Sequence, residues 1–157
     1  MTPRLEYVLA LLFTADGRQV VLVRKTRPAW QAGRVNALGG KLNDGEDLLD
    51  AARREVREEA GVDVARWEEF LIWQDPEYRL RAVRAFDDAA RGARTAEDQE
   101  VFLANVGELP VNVIDNLRWI IPLALDRDVA IPITVNSANP AGSGLTERPQ
   151  QGAVIHG

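Results

Sequence analysis

An α+β fold is predicted for this chain of 157 residues by three features. A hairpin with an Asp-Gly turn opens the chain. One strongly amphipathic helix follows it. Further strand-like segments and a shorter second helix come after that helix.

Residues 5–13, LEYVLALLF, are the first strand candidate. Thr14-Ala15-Asp16-Gly17 supplies the turn, and residues 20–23 return as the second strand. Arg24-Lys25-Thr26-Arg27-Pro28-Ala29-Trp30 then leaves the sheet as a basic loop. Residues 36–42, NALGGKL, read as a short extended segment broken by two glycines. Asn43-Asp44-Gly45-Glu46 is turn chemistry, and Asp47 is placed to cap a helix. Leu48, Leu49, Ala52, Val56 and Ala60 recur at helical spacing, so the helix spans 48–60, with Gly61 at its C-terminal cap.

Beyond Gly61, residues 62–73 read as a partly apolar strand. Residues 78–86 alternate through Leu80, Ala82 and Val83 as another. Residues 87–99 are polar and charge-rich, which reads as a loop, and 100–103 form a short strand. Residues 115–125 are the second helix, with Leu117, Ile120, Ile121 and Ala124 apolar and Pro122 inside it as a kink or limit. The tail, rich in Asn, Ser, Gly, Pro and Gln, reads as loop or linker. Its apolar patches at 129–135 and 153–155 are candidates for an edge strand or a partner contact. The organisation is therefore one domain over 1–126 and a loop-rich C-terminal extension over 127–157, offering an edge strand or a dimer arm.

Composition narrows the function classes. The chain carries no cysteine, which excludes disulfides and thiolate metal sites and fits a reducing cytoplasm. No apolar run is long enough to span a bilayer, and no signal-peptide pattern opens the chain. The net charge of −5 does not favour a non-specific nucleic-acid binder, so no stable nucleic-acid partner and no membrane partner are expected.

The chemistry concentrates in residues 40–62, GKLNDGEDLLDAARREVREEAGV. Glu55, Glu58 and Glu59 stand at i, i+3 and i+4, one face of a helix. Like charges at that spacing repel, and a hard divalent cation with oxygen ligands relieves the repulsion. Magnesium, which takes one or two carboxylates and keeps water and phosphate oxygens, suits such a half-open site. The plain alternative is a solvated charged face with pairs such as Asp50–Arg54 and Arg54–Glu58.

The full spacing decides between them. Gly40, Glu46, Arg54, Glu55, Val56, Glu58, Glu59, Gly61 and Val62 fill every fixed position of the Nudix box, which this stretch resembles. Its seven residue-specific positions would match by chance on the order of 10⁻⁸ per start point at average usage.

The resemblance implies a mixed, curved sheet sandwiched between helices in an α/β/α arrangement. It implies that Glu55, Glu58 and Glu59 hold magnesium, with manganese as a substitute, joined by the carbonyl of Gly39. Arg54 would orient a glutamate by a charge-assisted hydrogen bond, and Glu46 would brace the loop onto the helix start. Gly40 and Gly61 would be backbone devices. The implied activity is attack of water on a phosphorus of a nucleoside diphosphate linked to another group. Many members add a carboxylate from a loop before a late strand. Glu97, Asp98 and Glu100 are the candidates, with Glu100 favoured. All box glutamates are present, which favours an enzyme over a nucleotide-sensing module of the same family.

Substrate signals are thinner. Arg24, Lys25 and Arg27 could reach phosphates, with Arg24 and Lys41 as the phosphate-side candidates. Asp115-Asn116-Leu117-Arg118-Trp119 resembles the late segment of the MutT-like branch, which removes oxidised purine nucleoside triphosphates. Asp115 and Asn116 would read the base edge there and Trp119 would stack on it. Trp30 is a second stacking candidate. Pro76 and Tyr78 fall near the position used by branches acting on ADP-ribose, sugar nucleotides or dinucleoside polyphosphates, which is the alternative. His156, the single histidine, receives no catalytic role. The expected partner is a small nucleotide, on a monomer or a homodimer.

Overall fold

A computed structural model describes residues 4–137. The apolar patch at 153–155, His156 and most of the tail lie outside the described residues. Seven strands form one mixed sheet among them: β1 (Leu5–Phe13), β2 (Gln19–Arg24), β3 (Val35–Lys41), β4 (Glu68–Gln74), β5 (Tyr78–Phe86), β6 (Val101–Asn105) and β7 (Ile133–Asn136). Two helices, α1 (Leu48–Ala60) and α2 (Leu117–Leu125), complete the fold. The sheet order is β6-β2-β3-β1-β5-β4-β7. The pairs β1–β5 and β4–β7 are parallel and the other ladders are antiparallel.

β1 is central and buried on both faces, which is why LALLF is a continuous apolar run rather than an alternating one. Its odd positions, Tyr7, Leu9, Leu11 and Phe13, join the core beneath α2. Its even positions, Val8, Ala10 and Leu12, join the core beneath α1 with Leu48, Ala52 and Val56. The helices therefore lie on opposite faces of the sheet, an α/β/α sandwich.

Helix α1 begins and ends where expected. The Asp47 carboxylate accepts the N–H of Leu49, and Gly61 closes the helix at φ 69°. The guanidinium of Arg94 packs against Gly61, where a Cβ would come within 2.6 Å of its Nη1. Other elements shift. The glycine pair does not break β3, which pairs through Gly39 and Gly40 with Leu9 and Val8. β4 starts at Glu68, later than expected, because residues 62–67 turn inward and Trp67 donates its indole N–H to the Val64 carbonyl at 2.8 Å. A register shift at 69–71 then bends β4. α2 starts at Leu117, and exposed Pro122 is carried inside it without ending it. Within 87–99 a short 3-10 turn covers Asp88–Gly92. The apolar patch at 129–135 yields β7, an edge strand on β4. No helix among the described residues is long and apolar enough to cross a membrane.

Candidate active site

The site grows from the end of α1 that meets β3. Glu55, Glu58 and Glu59 share the face predicted for them and differ sharply in environment. Glu59 is 7% exposed, and one of its carboxylate oxygens accepts the N–H of Gly39 at 3.0 Å. Burial pushes its carboxyl up to about 8, against the pull of the Gly39 N–H, while the neighbouring charge of Glu55 adds to the rise. Glu55 is also raised by burial, with Arg54 opposing. Its carboxylate lies flat on Gly40, where a Cβ would stand 2.5 Å from Oε1. The second glycine of the pair is therefore required by space, and the first by its φ of 148°. Glu58 is half in solvent.

Arg54 ties these groups together. Its Nε and Nη2 donate to the two oxygens of Glu46 at 2.8 and 2.9 Å, a bidentate fork. Nη1 donates to Glu55 at 3.0 Å and to Glu58 at 3.3 Å. Nη2 also reaches the Lys41 carbonyl at 3.4 Å. Glu46 in turn accepts the N–H of Asn43 at 3.1 Å, so it braces the turn onto the helix.

The donor set fits a hard dication. All of it is oxygen, one carboxylate is buried at a cost in its ionised form, and like charges stand beside it. Among the described residues no three acidic or histidine side chains stand together closely enough to hold a metal ion between them. Glu55 and Glu58 each give an oxygen to Arg54 instead. Such a site leaves coordination positions to water and substrate, which is how magnesium is usually held.

The loop residues fall differently from expectation. Arg24 and Glu100 pair with each other at 2.9 Å on an exposed surface, and the Arg24 guanidinium sits over the Phe102 ring. Lys25, next to Arg24, is the basic residue turned inward. It is 3% exposed, and burial lowers its pKa while the charges of Glu59 and Glu55 oppose that shift. Strand parity foretells this, since Val21 and Val23 of β2 lie in the core beneath α1. Glu97, rather than Glu100, contributes charge at Glu59. Its loop is stitched to the end of α1 by Ala96 N–H to the Glu59 carbonyl at 3.1 Å and Arg94 N–H to the Ala60 carbonyl at 3.0 Å. Those contacts span more than thirty positions of sequence, and no local pattern signals them.

Toward α2, Asp115 pairs with Arg34 at 3.2 Å. Asn116 is buried at the start of α2, where its carbonyl accepts from Trp119 and Ile120. Trp119 is 39% exposed and stacks on Trp73 with centroids 5.6 Å apart. Lys41 is exposed at the end of β3, and Trp30 is half-buried. Near the base of the basic loop lies an amide pair that the sequence reading missed: buried Asn36 donates to buried Gln31 at 3.1 Å. Tyr78 is buried edge-on to Tyr7, and Pro76 stands exposed in the β4–β5 turn.

Comparison with known proteins agrees with this geometry. The NUDIX domain model matches residues 3–127. Over 54 residues the chain is 41% identical to the oxidized purine nucleoside triphosphate hydrolase of Mus musculus, a stretch that is 34% of each protein. This chain thus matches about a third of that relative's length. A MutT NUDIX hydrolase from Burkholderia pseudomallei superposes with a TM-score of 0.63 at 20% identity, over 78% of this chain and 98% of that one. A MutT protein from Bacillus halodurans gives 0.60 at 25% identity, over 78% and 84%. A MutT structure from work on Aliivibrio salmonicida and Vibrio cholerae gives 0.60 at 20% identity, over 78% and 98%.

Proposed function

We infer that this chain, which belongs to the NUDIX family and is a pyrophosphohydrolase of that family, hydrolyses a nucleoside triphosphate to the monophosphate and pyrophosphate. Oxidised purine nucleotides are the favoured class. The observation that carries the reading is the acidic face of α1. There Glu55 lies on Gly40, Glu59 is buried on the Gly39 N–H, and Arg54 orients Glu55 and Glu58 from its fork on Glu46.

NUDIX hydrolases generally use divalent metals, and magnesium is the ion this oxygen set suits, with manganese as a substitute. Glu55, Glu58 and Glu59, with the Gly39 backbone, would hold it. When bound it would neutralise diphosphate charge and lower the pKa of water. The chain supplies the rest. Arg54 keeps the carboxylates in one orientation, and Lys25 sets a positive charge beside Glu59 and Glu55. Water adds to a phosphorus, the phosphoanhydride bond breaks, and the water's proton passes to a carboxylate of this cluster. Glu97, whose charge is felt at Glu59, stands beside Glu100 as a candidate for the late carboxylate of that cluster.

Support for a purine triphosphate comes from the exposed Trp119 on Trp73, a stacking face at the start of α2, and from the Mus musculus relative. Asp115 and Asn116 stand directly before α2 in the chain, Asp115 paired with Arg34 and Asn116 buried. The alternative, ADP-ribose, a sugar nucleotide or a dinucleoside polyphosphate, draws less support because the Tyr78 ring is committed to the core. The catalytic unit is read as residues 1–126. The extension over 127–157 contributes β7 to the sheet edge.

Product analysis tests the reading. Incubation with an oxidised deoxyguanosine triphosphate and magnesium should give monophosphate and pyrophosphate, and a chelator should abolish both. Diphosphate and orthophosphate as products would refute the assigned bond.

A further inference from the structure

Two loops meet at the mouth of the site. One follows β2 and carries Lys25, and the other precedes β6 and carries Glu97. They are joined by the Arg24 backbone N–H, which donates to the Glu100 carbonyl at 2.8 Å, and by three side-chain contacts in antiparallel order. Arg24 pairs with Glu100 at 2.9 Å, and Arg27 forks onto Asp98 at 2.7 and 3.2 Å. Between them the Gln99 side-chain oxygen accepts the Thr26 backbone N–H at 2.8 Å and the Thr26 hydroxyl at 3.3 Å.

These contacts are not equal. Both ion pairs are about half exposed on each side, and exposed pairs contribute little. Gln99 is 8% exposed and its bond to Thr26 is part-buried, so water replaces that acceptor less readily than it replaces either ion pair. Thr26 directly follows Lys25, whose own backbone is already engaged, N–H to Arg34 and carbonyl to Gly33, both at 2.8 Å. On the other side, Glu97 is two residues before Gln99 and one after Ala96, whose N–H is fixed to α1 at the Glu59 carbonyl. The Val101 N–H donates to the Thr95 hydroxyl at 2.9 Å and closes the loop on itself. Gln99 is therefore the buried link between a loop anchored on α1 and the loop that presents Lys25.

We propose that Gln99 is a positioning residue for this reaction: its side-chain oxygen, by holding the Thr26 N–H, sets Lys25 and Glu97 in place beside Glu59. The role in catalysis rests on the functional reading above. The positional role rests on the loop contacts alone. The Gln99 side-chain oxygen is committed to Thr26, so its role is exerted through the placement of other charges, as outer partners of metal sites do.

The test replaces Gln99 with Met, which keeps length and removes the acceptor, and with Glu, which keeps an acceptor oxygen. Three quantities are read: amide exchange at Thr26 in the metal-free protein, affinity for magnesium alone by calorimetry, and kcat on a nucleoside triphosphate. Gln99→Met should speed Thr26 exchange about ten-fold, and weaken magnesium binding and lower kcat by about ten-fold each. Gln99→Glu should restore Thr26 protection and most of kcat. If Gln99→Met does not fold, Gln99→Asn withdraws the acceptor by one carbon and should show the same pattern. Wild-type exchange at Thr26 in Gln99→Met and Gln99→Asn would overturn the proposal. So would faster exchange with unchanged magnesium affinity. A wild-type protein without nucleotide turnover would refute the functional reading, while exchange and magnesium affinity would still decide the role of Gln99.

Discussion

Replacing Arg54 with Lys keeps the charge and removes the fork. Arg54 makes two donations to Glu46 and one each to Glu55, Glu58 and the Lys41 carbonyl. A single ammonium on a flexible stem cannot span that set. The two bonds to Glu46 are the shortest, at 2.8 and 2.9 Å, and Glu46 is 15% exposed, so solvent replaces them poorly. A hydrogen bond to a charged group contributes about 1.5–3 kcal/mol, and Lys retains part of the set. The net loss is about 2–3 kcal/mol. For a chain of this length each kcal/mol moves Tm by roughly 2–4 °C, so the expected drop is about 4–12 °C. Thermal unfolding by circular dichroism in a chelator, at pH 7, reads it directly. An Arg54→Lys variant melting within about 1 °C of wild type would show that the fork does not brace the turn, and the account of Arg54 and Glu46 would fall.

Other outcomes follow from the same geometry. Gly40→Ala puts a methyl 2.5 Å from the Glu55 Oε1 while Arg54 holds that carboxylate, so kcat should fall about 10–100-fold with little change in Tm. Equal loss of stability and activity would contradict a specific effect on Glu55. In the metal-free protein Glu59 titrates near 8, well above its unfolded value, so the folded state holds its proton more tightly. Its contribution to stability is therefore full below the unfolded pKa and is lost as pH rises toward 8. Chemical unfolding in a chelator at pH 5 and pH 8 should show that decline, and Glu59→Gln should flatten it. A slope unchanged in Glu59→Gln would assign the titration to another group. Trp119→Ala should raise KM for a purine nucleotide about ten-fold with kcat preserved, because the ring offers stacking area and no reacting group. An unchanged KM would remove Trp119 from the binding face.

What the sequence made legible was local or periodic. Helix α1 appeared with correct ends because Asp47 and Gly61 are cap residues acting within a turn of their own positions. The Nudix box was legible for the same reason: its glutamates, arginine and glycines are spaced along one loop and one helix. The burial of Lys25 was available from the parity of β2. The clustering of 94–100 on α1 and on 24–27 was not, because each bond joins positions more than thirty residues apart. Glu100 was favoured as the late carboxylate from its place before a strand, and neither its pairing with Arg24 nor the charge of Glu97 at Glu59 had a local signal. The continuity of β3 through two glycines also depended on distant partners, the strand β1 that pairs with it and the Glu55 carboxylate that needs its bare backbone.

The most direct test of the central claim is turnover with and without magnesium, read as phosphate released through a coupled pyrophosphatase or phosphatase. The panel is an oxidised and a normal deoxynucleoside triphosphate, ADP-ribose and a dinucleoside polyphosphate, each with wild type and with Glu58→Gln. Magnesium-dependent turnover of the triphosphates, cut by orders of magnitude in Glu58→Gln while its melting curve stays intact, is the predicted result. Near-normal turnover by Glu58→Gln, or turnover that ignores a chelator, would contradict the assignment of the acidic face of α1.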